Sequence, residues 1–309
     1  MSTPPIHTFE DLLTVAARCR EKRVSVVAPA NQETFEAVIE ARNNLPVKCI
    51  LVGDREVIEH GLRAGTDHTA NIEIVHQPVV LDALRTAIDM VHDGNCDILM
   101  KGSVDTGAMM RAVLDEHSGL RTGRLLSDIF VLEYPQRELN KFIMITDGGM
   151  TLAPDLKNKV ELIRNAVEVA HALGNASPKV AVLSATEFVV PNLPSTLDAA
   201  ALSKMNERGQ ISGCVVDGPF ALDNAISPEA AAEKGLSSPV AGRAEILVAA
   251  NIESANSLAK STTYFAGLRL AHVIVGGKVP VLIPSRADKR DAKLLSIALG
   301  MLMSESGSV

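Results

Sequence analysis

Residues 97–116 read DILMKGSVDTGAMMRAVLDE, and they form a strand–loop–helix pattern that the rest of the chain repeats. Residues 97–100 are a short apolar run of strand length, and residues 106–116 have the Ala-, Met- and Leu-rich composition of a helix. A polar loop that contains one glycine joins the two. The repeated alternation predicts an α/β fold, built on parallel sheets that helices cover on both faces.

The same pattern can be followed along the whole chain. The predicted strands are 24–28, 48–52, 72–75, 97–100, 129–133, 142–146, 180–184, 213–217, 245–250 and 279–284. The predicted helices are 32–42, 55–60, 80–92, 106–116, 155–173, 196–207, 228–234, 257–270 and 290–303. Because no Gly/Ser-rich linker divides these units, we expect a chain that crosses between two domains and returns. Domain I is expected over 1–140 and 270–309, and domain II over 141–269.

Composition excludes several classes of protein. The chain has 309 residues, of which 30 are Lys or Arg and 37 are Asp or Glu, so its formal net charge is −7. A hydrophobic content of 47% is enough to build a core, but only 3% of the residues are aromatic and none is Trp. Nucleic-acid binding needs basic surface and stacking rings, so nucleic acid is not an expected partner.

Targeting and redox features point to a cytoplasmic protein. The longest strongly apolar stretches, 244–252 and 295–303, have nine residues each, whereas a membrane-spanning helix needs about 20. The first ten residues lack the basic and apolar regions of a secretory signal. The four cysteines have no paired spacing, which argues against a disulfide framework and against a zinc site. We therefore expect no membrane association and no bound metal.

Several catalytic signatures are absent from the sequence. It contains no Gly-x-Gly-x-x-Gly, no phosphate loop ending in Gly-Lys-Ser/Thr, no Gly-x-Ser-x-Gly and no His-Glu-x-x-His. Its eight histidines do not cluster at metal-ligand spacing. These absences disfavour a P-loop enzyme, an α/β-hydrolase and a metalloenzyme, and they direct attention to the loops that follow the strands, where open α/β sheets bind ligands.

The loop after the strand 97–100 has the properties of an anion site. Gly102 allows close approach of a ligand to the backbone, and Lys101 precedes it. Thr106 stands at the start of a helix, where free N–H groups and the helix dipole favour an anion. Arg111 lies just over one turn further and can turn back toward the same loop. A capped turn with a solvated lysine and arginine is the alternative interpretation.

The loop after the last predicted strand offers a second candidate. Arg286 presents a planar fork that matches phosphate, and Ser285 adds a short donor beside it. Asp288 and Asp291 follow near the start of the final helix. The alternative is a strand-to-helix loop with an N-cap aspartate and a solvated run of charge.

Three further polar residues are weaker candidates. Asn256 and Lys260 share one face of a predicted helix, although the local sequence favours an ordinary exposed polar face. Asp147 follows a predicted strand and precedes two glycines, a pattern that is also typical of an ordinary turn.

In their order and spacing, these segments resemble the phosphate acetyltransferase/butyryltransferase family. The resemblance covers nearly the whole chain. It rests on Leu99-Met100-Lys101-Gly102 with Val104-Asp105-Thr106, on Arg111-Ala112-Val113-Leu114-Asp115, Leu120-Arg121-Thr122-Gly123, Thr146-Asp147-Gly148-Gly149-Met150, Ala153-Pro154-Asp155-Leu156, Asn165-Ala166, Pro178-Lys179-Val180-Ala181, Pro194-Ser195-Thr196-Leu197-Asp198-Ala199, Asp217-Gly218-Pro219, Ser238-Pro239-Val240-Ala241-Gly242 and Ser285-Arg286-Ala287-Asp288.

The resemblance implies the reversible reaction of acyl-CoA with inorganic phosphate to give acyl phosphate and coenzyme A, by direct transfer in a ternary complex. It also implies two α/β domains of the isocitrate/isopropylmalate-dehydrogenase type with an interdomain cleft, a homodimer, and no tightly bound cofactor. Coenzyme A is a substrate or product.

The resemblance also implies roles for individual residues. Ser285 would hydrogen-bond the developing oxyanion, Arg286 would hold phosphate, and Arg111 would bind an anion. Ala292 stands where acetyl-specific members carry the aspartate that deprotonates the CoA thiol. Asp288, which belongs to the Ser-Arg-Ala-Asp pattern typical of the butyryl branch, ranks slightly ahead of Asp291 for that role.

Two departures favour the butyryl branch over the acetyl branch. The chain has the Lys-Gly-x-x-Asp-Thr and Ser-Arg-Ala-Asp patterns, and the stretch between His76 and Asp97 is too short for the arginine-containing segment of acetyl-specific relatives. Arg124 is a candidate substitute for that arginine by position alone. We expect a preference for acyl groups of about four carbons. The alternatives are a phosphate acetyltransferase, an NAD- and metal-dependent dehydrogenase of the same fold type, and a non-catalytic CoA-binding module.

Overall fold

The computed structural model describes residues 5–63, 72–136, 139–285 and 287–305. Its helices are α1 Phe9–Ala16, α2 Gln32–Asn44, α3 Arg55–Arg63, α4 Val80–His92, α5 Thr106–Val113, α6 Leu156–Ala172, α7 Pro194–Glu207, α8 Leu222–Ile226, α9 Pro228–Glu233, α10 Ile252–Tyr264 and α11 Arg290–Glu305. Its strands are β1 Lys22–Val27, β2 Val47–Gly53, β3 Ile72–His76, β4 Ile98–Lys101, β5 Ser127–Gln136, β6 Leu139–Thr146, β7 Lys179–Leu183, β8 Val215–Phe220, β9 Ile246–Val248, β10 Leu270–Val275 and β11 Val281–Leu282. The fold is therefore α/β, as the sequence predicts.

Residue contacts divide the chain into two compact units. Unit I consists of Phe9–Leu126 and the residues from Ala271 onward. Unit II consists of Ser127–Leu270 together with the residues up to Thr8. Apart from the N-terminal residues, the chain passes from unit I to unit II at Ser127, whereas the sequence-based boundary was at residue 141. The reason is that β5 pairs in register with β6, so a boundary between them would separate hydrogen-bonded strands.

Unit I contains strands in the order β3-β2-β1-β4-β11-β10. The first five are parallel, and only β10 runs antiparallel to its neighbour β11. All residues of β4 and β10 are buried, which fits the near-continuous apolar sequence of a central strand. The 293–303 segment of α11 is buried throughout. An added Cβ at Gly300 would lie only 3.3 Å from Ile98 Cγ2, so α11 packs closely against β4.

Unit II contains strands in the order β5-β6-β9-β7-β8. β5 and β6 are antiparallel, and the other pairs are parallel. Its core joins the aromatic side chains of Phe130 and Phe220 to aliphatic residues of β6, β7, β9 and α10. Each unit thus has a mixed sheet, which corrects the expectation of parallel sheets.

Besides the five-residue helix α8, two elements were missed by the sequence-based prediction. The helix expected over 257–270 ends at Tyr264, because Gly267 takes a positive φ of 65° and its N–H bonds back to Thr263 O. The residues that follow form β10, whose short connection to β11 suits an antiparallel pair. The other missed element is α1, which buries Phe9 and Leu12 and packs on α11.

Candidate functional site

The loop after β4 lies directly on the end of β1. The Gly102 N–H donates to Val27 O at 2.9 Å, and the Ser103 N–H donates to Ala28 O at 2.8 Å. A Cβ added at Gly102 would lie 2.4 Å from Val27 O, so no larger residue fits without moving backbone. Ala28 itself has a positive φ of 47°, which is uncommon for a residue with a side chain. The close approach expected of Gly102 is therefore made to the chain's own backbone.

Lys101 differs from the solvated lysine of the alternative interpretation. Its side chain is buried at 3% exposure, and its Nζ donates to Val104 O at 3.4 Å. The ammonium group therefore lies beneath the loop and supports it from inside.

Helix α5 presents two predicted residues at its exposed start. Asp105 caps the helix by accepting the Ala108 N–H at 2.9 Å, and Thr106 is its first residue. Arg111 is exposed, and its Nη1 lies 3.3 Å from the position of an added Cβ at Gly107. The arginine side chain thus runs back toward the helix N-terminus, which is the direction that sequence analysis expected.

The loop after β11 adjoins the loop after β4. β11 pairs in parallel with β4, with Leu282 opposite Met100, so the two strands end at the same edge of the sheet. In the β11 loop, Ser285 N–H donates to Asp288 Oδ2 at 2.7 Å, and Asp288 N–H donates to Ser285 O at 3.1 Å. Both residues are half-buried, as is Asp291 in the first turn of α11. Arg286 lies outside the described residues.

The backbone of Arg124 lies at the opposite ends of the central strands of unit I. Its N–H donates to Thr122 Oγ1 at 3.4 Å, and that hydroxyl donates to Gly276 O at 2.7 Å. Gly276 follows β10, which runs antiparallel to β11, so this turn lies at the amino ends of β4 and β11. The backbone of Arg124 thus lies at the strand ends opposite to those that Ser285 follows, and its role as the second anion contact stays a prediction.

In unit II, Asp147 organises the loop that follows β6. Its Oδ1 accepts the N–H groups of Asp128, Gly149 and Met150, each at 3.1 Å, and its Oδ2 accepts the Thr151 N–H at 2.8 Å. Burial, with a contribution from the charge of Asp128, raises the pKa of Asp147 to about 6 although the N–H donors act in the opposite direction. The carboxylate is therefore used as an acceptor for backbone N–H groups, and the 2% exposure of Asp147 leaves little surface for a ligand.

Asn256 joins this loop to helix α10. Its Nδ2 donates to Gly148 O at 2.9 Å, and Lys260 is half-buried one turn further along α10. Asp147 and Asn256 therefore meet through Gly148, as members of one loop–helix contact. These three candidates belong to unit II, and the Ser285 and Gly102 loops belong to unit I.

Asp128 is a functional-site neighbour that sequence analysis missed. It is buried, and an added Cβ at Gly149 would lie 2.5 Å from its Oδ2, so the second glycine of the Asp-Gly-Gly turn is needed for space. Next to it, Ser127 Oγ accepts a 2.8 Å bond from Asn165 Nδ2, with both residues fully buried. The Ser-Asp pair at the start of an otherwise apolar strand was the available signal.

The described part of the chain lacks both a metal-binding cluster and a membrane-spanning helix. No group of three His, Cys, Asp or Glu side chains there is arranged to hold a metal ion. No helix among the same residues is both long and apolar enough to cross a bilayer.

Comparisons with known proteins first define the class of fold. A branched-chain phosphotransacylase from Enterococcus faecalis V583 superimposes with a TM-score of 0.80 at 31% sequence identity, covering 92% of this chain and 99% of the other. The molecule thus has the fold of a phosphotransacylase.

Sequence comparisons then identify the family. The family described as "Phosphate acetyl/butaryl transferase" matches residues 54–301. The chain is 44% identical to the phosphate acetyltransferase of Thermotoga maritima, over 94% of this chain and 98% of that protein. It is 41% identical to the phosphate butyryltransferase of Clostridium acetobutylicum, over 96% and 98% respectively. The chain belongs to the phosphate acetyltransferase/butyryltransferase family.

Proposed function

We propose that this chain catalyses the reversible transfer of a short acyl group between coenzyme A and inorganic phosphate. Family membership supports an acyltransferase of this kind. The observation that carries the proposal is the pair of loops at the carboxyl ends of β4 and β11, because parallel pairing sets Gly102 and Ser285 at one edge of the sheet.

The proposed reaction is a direct displacement. A phosphate oxygen attacks the thioester carbonyl carbon, a C–O bond forms, and the C–S bond breaks as the CoA thiolate leaves. Ser285 Oγ–H donates to the carbonyl oxygen as negative charge develops there. Arg286 holds the phosphate oxygens with its planar fork. In reverse, a carboxylate accepts the thiol proton before sulfur attacks the acyl phosphate, and the bond to Ser285 N–H supports Asp288 for that role ahead of Asp291.

The remaining candidates are proposed to support binding. Arg111 and Thr106 contribute to an anion contact at the exposed start of α5, whereas the buried Lys101 and Gly102 keep the adjoining loop in shape. Asp147 is proposed to act through the loop that it holds, with Asn256 and Lys260 on the neighbouring helix.

Butyryl or a similar short chain is the proposed acyl group, on the basis of the Ser-Arg-Ala-Asp pattern and the short stretch between His76 and Asp97. Overall identity does not separate the two branches, since relatives named for acetyl and for butyryl transfer are 44% and 41% identical to this chain. One methylene usually changes discrimination by only about 1–3 kcal/mol, so acetyl transfer is the alternative that the experiment must compare.

We further propose four general properties of the protein. They are a cytoplasmic location, a homodimer, the absence of a tightly bound cofactor, and a two-domain arrangement of the isocitrate/isopropylmalate-dehydrogenase type. The unpaired spacing of the cysteines supports the first, and the family resemblance supports the other three.

The test is release of free thiol from acetyl-, butyryl- and longer acyl-CoA in the presence and absence of phosphate. Phosphate-dependent release, greatest with the butyryl thioester, is expected. Arg286→Ala should lower turnover by about 10²-fold or more, because an oriented charge on the reacting phosphate is lost. Arg63→Ala, a change at an exposed arginine of α3, is the matched control. Full activity of Arg286→Ala, or thiol release that ignores phosphate, would contradict the proposal.

A further inference from the structure

Lys293 is a lysine in an unusual place. It lies in the first turns of α11 with an exposure of 1%, and it is among the largest side chains that the fold buries completely. Burying an ammonium group without partners is costly, so a lysine in this position needs an acceptor close to its nitrogen.

The acceptor is the backbone of the Ser285 loop. Lys293 Nζ donates to the carbonyl oxygen of Asp288. Burial lowers the pKa of Lys293, and the charges of Asp288 and Glu33 act in the opposite direction and favour the ammonium form.

The Asp288 carbonyl belongs to a turn that is closed by two hydrogen bonds. Asp288 N–H donates to Ser285 O, and Asp288 Oδ2 accepts the Ser285 N–H, so the position of Ser285 depends on that of Asp288. Lys293 therefore holds Asp288 in place, and Asp288 in turn holds Ser285 through two hydrogen bonds.

The helix that carries Lys293 is itself well anchored in unit I. Ser296 Oγ accepts the N–H of His272 on β10 at 3.1 Å, and Arg290 Nε lies 2.9 Å from Glu40 Oε2 of α2. A side chain on such a helix has a defined origin, which suits it to holding a loop in one place.

We propose that Lys293 is a positioning residue for acyl transfer, which acts by holding the Ser285–Asp288 turn through the carbonyl of Asp288. The inference rests on the proposed function of that turn. It assigns to a buried cation a role in catalysis that requires no contact with substrate.

The test compares wild-type enzyme with Lys293→Met, which keeps an unbranched side chain but removes the donor. We expect kcat to fall about tenfold or more and the KM for phosphate to rise about fivefold, because a loosened turn presents its phosphate-holding and oxyanion-binding groups less accurately. The KM for butyryl-CoA should stay within about twofold, since most contacts with that large substrate lie outside the turn. A purely structural role would not separate the two KM values.

Lys289→Met is the matched control, because Lys289 is exposed and its loss removes the same charge from the same segment. Kinetic constants like those of wild type in folded Lys293→Met, or equal increases in both KM values, would overturn the inference. If that variant does not fold by circular dichroism, Lys293→Leu, which also lacks a donor, carries the same expectations. Wild-type enzyme that releases no thiol would instead overturn the proposed function, and this inference with it.

Discussion

Asp288 is bonded to Ser285 on both sides: its Oδ2 accepts the Ser285 N–H at 2.7 Å, and its own N–H donates to Ser285 O at 3.1 Å. Two hydrogen bonds therefore tie Asp288 to Ser285 at the end of β11. A carboxylate that is held this close to Ser285 is oriented before any substrate arrives, which is the condition for efficient proton transfer.

The first prediction concerns which aspartate takes the thiol proton. Asp288→Asn keeps an oxygen that can accept the Ser285 N–H but removes the charge, so the turn should persist while kcat for acyl phosphate plus CoA falls by about 10²-fold. Asp291→Asn is the matched variant, and its kcat should stay within about threefold of wild type. Steady-state kinetics of both variants decide the matter, and a loss confined to Asp291→Asn would reassign the base.

The second prediction concerns the hydroxyl of Ser285. Ser285→Ala should lower kcat by about 10²–10³-fold, the usual effect of removing one oxyanion donor. Because Ser285 is half-buried, the free energy of unfolding should change by no more than about 0.5–1 kcal/mol. Parallel measurements of thiol release and urea unfolding separate the two effects. Retention of turnover would exclude Ser285 from oxyanion stabilisation.

The sequence predicted most elements of the fold, because apolar runs and turn residues are local signals. It failed at β10, where the fully buried Leu270–Val275 continues an apolar helix pattern and only Gly267 marks the change. It also could not foresee that β10 runs antiparallel to β11, since strand direction depends on which strands meet in space.

The candidate site shows the same division between local and long-range information. The loops with Gly102 and Ser285 follow from rules about strand ends, and the structure sets them side by side. The buried state of Lys101 and Lys293 was not predictable, because lysine is almost never fully buried and the sequence does not show what its ammonium group contacts. Their acceptors are backbone carbonyls that only the folded loops bring within reach.

The third prediction concerns Gly102. An added methyl group would lie 2.4 Å from Val27 O and 2.8 Å from Ala28 O, and both atoms belong to backbone that cannot easily move. Gly102→Ala should therefore reduce the free energy of unfolding by about 1–3 kcal/mol, the usual cost of overpacking. Gly107→Ala is the control: its Cβ would meet only the flexible ends of Asp105 and Arg111, so the change should stay within about 1 kcal/mol. Equal stabilities in urea titrations would contradict the prediction.

The fourth prediction concerns Asp147 and the pH dependence of stability. Its pKa is about 6 in the folded protein and 3.8 as the ordinary reference value. Between these values the folded state binds more protons than the unfolded state, so its contribution to stability is largest at low pH and is lost as pH rises from about 4 to about 6. The corresponding loss is about 3 kcal/mol. Urea unfolding at pH 4, 5, 6 and 7 measures it.

Asp147→Asn isolates this contribution, because every other titrating group is shared with wild type. The variant should be less stable overall, since its amide nitrogen must face at least one of the backbone N–H groups that the carboxylate accepts. The difference in unfolding free energy between wild type and variant should still shrink as pH rises through 4–6. Asp128→Asn should move that change to lower pH, because the charge of Asp128 helps to raise the pKa of Asp147. A constant difference across this range, or one that grows with pH, would show that burial does not favour the protonated form of Asp147, and the loop would then have to be held by a fully ionised carboxylate.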